Sequence, residues 1–67
     1  MELSARNQLK GRVISVKSGT VMAEVQVGVE AGTVVAAITD GSRLGMNLAE
    51  GDEVTVIIKA TEVMIGK

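Results

Sequence analysis

The stretch from residue 20 to residue 29 constrains the fold most, because its apolar side chains fall on every second position. The apolar positions are Val21, Ala23, Val25, Val27 and Val29, and they alternate with Met22, Glu24, Gln26 and Gly28. A period of two places one set of side chains on a single face of an extended chain. We therefore predict a β-strand over residues 20–29, the clearest strand in the sequence.

Two further strands flank this one. Residues 9–16 predict a first strand in which the apolar residues change parity, a pattern that indicates a bend, a bulge or two buried faces. A turn at residues 17–19 joins the first two strands into a hairpin. Residues 30–32 close a second hairpin, and the run of small apolar residues at 33–39 predicts a third strand that is buried on both faces.

The second half of the chain carries the helical signal and the remaining strands. A polar residue within 39–42 can cap a short helix that ends by residue 47. After a Gly-Asp turn, residues 53–59 predict a fourth strand, and residues 62–65 predict a short fifth. Five strands with one short helix between the third and the fourth indicate an all-β fold and fit a small, partly open barrel of the OB type.

The chain has 67 residues, and its composition leaves few means to stabilise so small a fold. We predict a single domain over residues 1–67. Because the chain has neither Cys nor His, disulfides and the common transition-metal sites are excluded. Hydrophobic residues make up 46% of the chain, a high share for this length. We infer that copies of the chain bury part of this surface against each other in a homo-oligomer.

The composition also narrows the range of possible functions. The absence of Phe, Tyr and Trp and a net charge of -1 count against binding of nucleic acid. Without Cys or His, no nucleophile–base pair is evident, so we do not expect an enzyme. The sequence has no membrane-spanning apolar run and no hydrophobic signal-peptide segment near its start, so we expect a cytoplasmic protein without membrane contact.

Hydrogen-bond donors are concentrated in the segment that precedes the first strand. In an extended segment, Ser4 and Arg6 point to the same side and Ala5 points away, and the backbone N–H groups add further donors. A guanidinium can donate two parallel hydrogen bonds to the oxygens of a tetrahedral anion. The alternative for Arg6 is a solvated surface side chain near the terminus. The set is suited to a small, deprotonated oxyanion.

Further candidate donors follow the third and fourth strands. Lys59 either binds the anion or covers the end of the barrel with its long side chain. Thr61 either donates its hydroxyl or favours a turn. Thr39 and Ser42 flank the start of the helix, where N–H groups attract anions, although plain capping of the helix is the alternative. Asp40 would repel a dianion, so we expect it to point into solvent or to cap the helix.

Three motifs, SARNQL, AIT and IKATEV, occur here in an order and spacing that closely resemble the molbindin (Mop) family. That family comprises small molybdate-binding proteins, and the same unit appears as the TOBE-type domain of molybdate transporters and regulators. The resemblance extends from Ser4 to Ile65. It implies an OB-like fold, an oxyanion pocket lined by the AIT turn, and hexamers built as trimers of dimers with anion sites between subunits.

On this basis we predict reversible binding of molybdate, with tungstate as a close mimic, for intracellular storage or buffering of molybdenum. The ligand is held by hydrogen bonds, with no direct metal ligand, no cofactor and no catalysis. The candidate residues are Ser4, Ala5, Arg6, Thr39, Ser42, Lys59 and Thr61. The number of donors that a dianion needs exceeds what one short turn supplies, so we expect a pocket built from more than one segment and, as the resemblance implies, from two subunits. The alternatives are a structural oligomerisation module and an OB-type nucleic-acid-binding domain.

Overall fold

The structure, a computed structural model, describes residues 4–5 and 7–67 of the chain. Four strands, one α-helix and one short 3₁₀ helix follow one another in the described part. They are β1 (Asn7–Ser18), β2 (Met22–Val29), β3 (Gly32–Thr39), α1 (Asp40–Gly45), β4 (Glu53–Ile58) and the 3₁₀ helix (Ala60–Glu62). The predicted order of four strands, with a helix between the third and the fourth, is confirmed.

The four strands form one antiparallel sheet with the order β3-β2-β1-β4. The first half of β1 pairs with β4, beginning with Asn7 opposite Ile58. From Arg12 onward, β1 pairs with β2. The register between β1 and β2 shifts between Val13 and Ser15, which is a bulge. This bulge accounts for the change of parity in the sequence of β1.

A small core lies on the face that the alternating pattern predicts. Its buried residues are Val13, Ala23, Val25 and Val27. Half-buried apolar side chains pack around it, namely Val16, Val29, Ile38, Leu48, Val54 and Val56. Three of the four buried residues belong to β2, because that strand lies between two others and its apolar face is covered along its length.

The helix α1 begins after Thr39, whose hydroxyl oxygen accepts a hydrogen bond from the N–H of Ser42 at 3.1 Å. It has six residues and ends at Gly45. Asn47 has a positive φ of 51° and redirects the chain, so that Leu48 returns to the core. Crossing a membrane would need a longer and more apolar helix than any found among residues 4–5 and 7–67.

The third strand differs from the prediction of two buried faces. Its side chains alternate between the half-buried Val34, Ala36 and Ile38 and the exposed Thr33, Val35, Ala37 and Thr39. Val35 is 59% exposed. The prediction was wrong for the single chain because β3 is an edge strand, and its second face is not packed against another element of the described chain.

The predicted fifth strand over residues 62–65 is not formed either. The N–H of Glu62 donates to the carbonyl oxygen of Lys59 at 2.9 Å, so the chain turns through the 3₁₀ helix instead of continuing to the sheet. The chain then becomes extended at Val63, but Met64 and Ile65 are each 91% exposed. Within the described residues, the sheet therefore has four strands, since these apolar side chains find no partner surface in the same chain.

Gly11 of β1 lies too close to β2 to carry a side chain. A Cβ atom at Gly11 would lie 2.6 Å from the carbonyl oxygen of Gly28 and 2.7 Å from Cγ1 of Val27. We expect Gly11→Ala to lower the free energy of unfolding by about 1–3 kcal/mol, because the two strands must move apart. Urea unfolding measures this change.

The matched control is Gly45→Ala in α1, where an added Cβ meets no other packed atom within 4 Å. Because Ala favours a helix more than Gly does, we expect the control to be unchanged or more stable by up to about 1 kcal/mol. Equal free energies of unfolding for the two variants would contradict the close approach of β1 and β2 at Gly11.

Candidate functional site

Ser4 and Ala5 lie directly before β1, at the end of that strand that pairs with β4. Ser4 is exposed and Ala5 is half-buried. Arg6, the third candidate of this segment, lies outside the described residues. The side-chain amide of Gln8 donates to the carbonyl oxygen of Ala5 at 2.7 Å and thereby holds the segment against its own strand. Ser4 is thus presented at the surface at this end of the sheet.

Lys59 and Thr61 lie beside this segment, because β1 and β4 are antiparallel neighbours. Asn7 pairs with Ile58, and its side-chain amide also donates to the carbonyl oxygen of Ile58 at 3.1 Å. The next residue is Lys59, which is exposed, and Thr61 is exposed within the 3₁₀ helix. The structure therefore brings four candidates to one end of the sheet, and we call them the Lys59 group: Ser4, Ala5, Lys59 and Thr61.

Thr39 and Ser42, which we call the Ser42 group, lie at the opposite end of β1. Thr39 pairs with Met22 at the start of β2, and that strand pairs with β1 up to Ser18. The hydroxyl of Thr39 donates to Oγ of Ser42 at 2.8 Å and also accepts from the N–H of Ser42. Thr39 therefore caps the helix, as the alternative interpretation had it. The hydroxyl of Ser42 is left to donate at the surface.

The two groups are separated by the length of β1, which has 12 residues. The strand bends at its bulge, and the Cα atoms of the chain extend 34 Å along the longest axis, so the two ends of β1 are closer than a straight strand would place them. A tetrahedral oxyanion binds only groups that come within about 3 Å of its oxygens. Because the groups lie at opposite ends of β1, we infer that one chain presents two separate sets of donors.

Asp40 neither points freely into solvent nor caps the helix, so that expectation was wrong. Nε of Arg43 donates to Oδ1 of Asp40 at 2.8 Å, and the side chains of Asp40 and Arg43 are 20% and 18% exposed. This hydrogen bond is the main reason why the pKa of Asp40 lies below its ordinary value. Asp40 in turn raises the pKa of Arg43. The negative charge of Asp40, near Ser42, is thus balanced by Arg43 within α1.

A broad groove of about 860 Å³ lies over β1, β2 and β4, away from the candidate residues. Its charged lining is mixed and comprises Lys10, Arg12, Glu30 and Glu53. Arg12 binds Glu53 at 3.0 Å, so this pair is already neutralised. The groove does not favour an anion, and the part of the chain that the structure describes has no cluster of three or more Asp or Glu residues that could hold a metal ion.

Sequence reasoning missed Asn7 and Gln8, whose side chains hold the segments of the Lys59 group. Both residues stand inside the SARNQL motif, directly after Arg6. Their position in this motif is the sequence feature that could have indicated a role near the site. An amide at the start of a strand is common at a sheet edge, so its residue type alone does not indicate a role in a site.

The chain matches a known family along most of its length. The model of the TOBE domain matches residues 3–65. Molybdenum-pterin-binding protein 3 from Clostridium pasteurianum is 46% identical to the chain over 66 residues, which cover 97% of each protein. A probable molybdenum-pterin-binding protein from Haemophilus influenzae is 43% identical over 67 residues, which cover 98% of this chain and 97% of the relative.

A solved structure shows the same fold. It is that of a molybdate-binding protein from Sporomusa ovata, which superposes with a TM-score of 0.94 at 40% sequence identity. The superposition covers the whole length of both chains. The architecture described above is therefore shared with a molybdate-binding protein from end to end.

The Asp40–Arg43 pair predicts an acid-sensitive contribution to stability. Because the pKa of Asp40 is below its ordinary value of 3.8, folding favours the ionised carboxylate. This stabilisation is fully present above the pKa of the unfolded chain and is lost as pH falls through the folded pKa, that is, below about pH 4. We expect Asp40→Asn to melt at a lower temperature than the parent near neutral pH, and the difference to shrink toward about pH 2.

Thermal unfolding across this pH range measures the difference. Glu24→Gln, which removes the same charge from an exposed site on β2, is the control. A melting-temperature difference for Asp40→Asn that stays constant from neutral pH down to about pH 2 would contradict the ionised pair.

Proposed function

The chain belongs to the molbindin (Mop) family of TOBE domains, and from this membership we propose that it binds molybdate reversibly. The observation that carries the proposal is the Lys59 group. The pairing of β1 with β4 ends with Asn7 opposite Ile58, so the segments that carry Ser4, Lys59 and Thr61 leave the sheet at the same end. All three side chains donate hydrogen bonds, and the ammonium of Lys59 is positively charged.

A pocket that offers only hydrogen-bond donors distinguishes oxyanions by whether they carry a proton. Molybdate is a dianion at neutral pH that accepts hydrogen bonds and donates none, so every oxygen can be satisfied by a donor. Phosphate is partly protonated, and its O–H group would face another donor without an acceptor. Tungstate has the same charge and shape and is bound alike, whereas sulfate is rejected by its smaller size.

Arg6 adds the second cation of the proposed pocket. Its assignment comes from the SARN motif, in which it directly follows Ala5. A guanidinium and an ammonium together match the charge of a dianion, and the guanidinium adds two parallel donors. The resulting role is storage or buffering of molybdenum in the cytoplasm, without a catalytic step.

We further propose that a complete pocket takes the Lys59 group from one chain and the Ser42 group from another. The separation of the two groups along β1 supports this arrangement. Each group also lies beside exposed apolar side chains: Met64 and Ile65, 91% exposed, follow the 3₁₀ helix, and Val21, 69% exposed, accepts a hydrogen bond from the N–H of Asp40. Apolar surface next to each group favours contact between subunits.

The same contact offers a way to complete the barrel. In the described chain, β3 and β4 are edge strands, and residues 63–65 are apolar and exposed. We propose that this tail adds the fifth strand of an OB-like barrel to a neighbouring chain in a homo-oligomer, a hexamer arranged as a trimer of dimers. Pairing of the tail would use open backbone groups and bury its side chains together.

Calorimetric titration with molybdate tests the ligand and the site. We expect saturable binding by the parent, and an affinity about 10–100-fold lower for Lys59→Ala, because one charge-assisted hydrogen bond is lost. Lys10→Ala, which removes the same charge from an exposed position in the groove away from the candidate residues, should bind as the parent does. If the parent shows no heat with molybdate or tungstate, the proposed function is wrong.

Mixing two variants of weakened affinity tests whether two chains form one pocket. Lys59→Ala lacks a donor of one group, and Ser42→Ala lacks a donor of the other. In a mixed pair, one pocket would combine both defects, and the second pocket would combine the intact Lys59 of one chain with the intact Ser42 of the other.

We therefore expect the variants, unfolded together and refolded as a mixture, to regain parent-like affinity in a fraction of their sites. Each variant refolded alone is the control. If refolding the mixture restores no high-affinity sites while mixed assemblies are present, the pocket does not combine these residues from two chains.

A further inference from the structure

Asn7 and Gln8, neighbours at the start of β1, both use their side-chain amides on backbone carbonyl groups. Gln8 Nε2 donates to the carbonyl oxygen of Ala5 at 2.7 Å. Asn7 Nδ2 donates to the carbonyl oxygen of Ile58, 51 residues away, at 3.1 Å. Ala5 belongs to the Lys59 group, and Ile58 directly precedes Lys59. The two amides therefore fasten both segments of that group to the same strand.

The side chains of Asn7 and Gln8 point in different directions, so each makes a contact that the other does not make. Successive residues of a strand point to opposite faces, so Asn7 and Gln8 cannot replace each other. The ladder between β1 and β4 continues from Asn7 to Arg12 without help from these amides. Gln8 is exposed, and an exposed hydrogen bond contributes little to stability. A role in folding therefore does not account for Gln8, whereas the partly buried bond of Asn7 also adds to the contact between β1 and β4.

Their chemistry matches a pocket that accepts a dianion. A carbonyl oxygen carries partial negative charge and can only accept hydrogen bonds, so a free carbonyl beside the pocket would repel molybdate. The same free carbonyl would be a partner for the O–H group of a protonated anion. By donating to the carbonyls of Ala5 and Ile58, the two amides each occupy one lone pair of these acceptors and reduce the negative charge that the carbonyls present. The planar peptide that leads to Lys59 is fixed at the same time.

We propose that Asn7 and Gln8 are positioning and specificity-determining residues of the oxyanion site. They hold the two segments of the Lys59 group together, and they occupy carbonyl acceptors of these segments so that an unprotonated oxyanion is preferred to a protonated one. This inference rests on the proposed function, because it concerns the same site.

Titration of Asn7→Ala and Gln8→Ala with molybdate, with phosphate measured by displacement of molybdate, tests the inference. We expect molybdate affinity to fall by up to about tenfold in each variant, because the segments that carry the donors are held less firmly. Phosphate affinity should fall less or rise, because an acceptor for its O–H group becomes free. The preference for molybdate over phosphate therefore becomes smaller. Gln26→Ala, which removes an amide from the middle of β2, is the matched control.

Loss of fold is separated from loss of positioning by recording thermal unfolding of each variant and titrating below its transition. Gln8→Ala, at an exposed position, keeps the test decisive if Asn7→Ala is too unstable. Unchanged affinities in Gln8→Ala, or a parallel fall for molybdate and phosphate, would overturn the inference while the proposed function stands. Failure of the parent to bind molybdate would instead remove the proposed function.

Discussion

The change of pairing partner along β1 determines where the candidate donors among the described residues lie. This strand pairs with β4 in its first half and with β2 in its second, and the bulge between Val13 and Ser15 follows the change. The turn before β4 satisfies the backbone at that point: the N–H of Val13 donates to the carbonyl oxygen of Asp52 at 2.8 Å, and the N–H of Gly51 donates to the carbonyl oxygen of Val13 at 2.8 Å. Without these bonds the bulge would leave buried polar groups unpaired. One continuous strand can therefore serve two sheet neighbours and carry a group of donors at each end.

The core lies on one face of the sheet, and this arrangement links the stability of the chain to the proposed assembly. A sheet is stable when a second layer covers its apolar face, and in this chain that layer is small, with Leu48 after α1 as a contributor. Apolar side chains elsewhere stay exposed, among them Val35 on β3 and Leu44 on α1. In the proposed oligomer, these surfaces and the two separated groups of donors are completed by the same neighbouring chains. Ligand binding and assembly would then stabilise each other, since each favours the same set of contacts.

Features set by neighbours in the sequence were predictable, and features set by distant contacts were not. The alternation in β2 predicted its buried face, and the polar residues around Thr39 predicted a capped helix, because both patterns act within a few residues. The exposed face of β3 and the unpaired segment 63–65 escaped prediction, since an apolar pattern does not tell which surface covers it. That the segments of Ser4 and Lys59 lie at one end of the sheet depends on the register of β1 against β4, which the sequence does not specify. The Asp40–Arg43 pair, by contrast, has the i,i+3 spacing of a helical ion pair and was open to prediction.

A dianion cannot be drawn to this chain by its overall charge, which is -1. Attraction has to come from nearby groups, because solvent ions screen charges beyond about 8–10 Å. Two carboxylates are already compensated by their own partners, Asp40 by Arg43 and Glu53 by Arg12. The attraction of the anion then comes from short charge-assisted hydrogen bonds. These bonds weaken steeply when the donors point away from the anion. In the proposed site, affinity then depends on how well the segments around Lys59 are held, and among the described residues the amides of Asn7 and Gln8 donate hydrogen bonds to these segments.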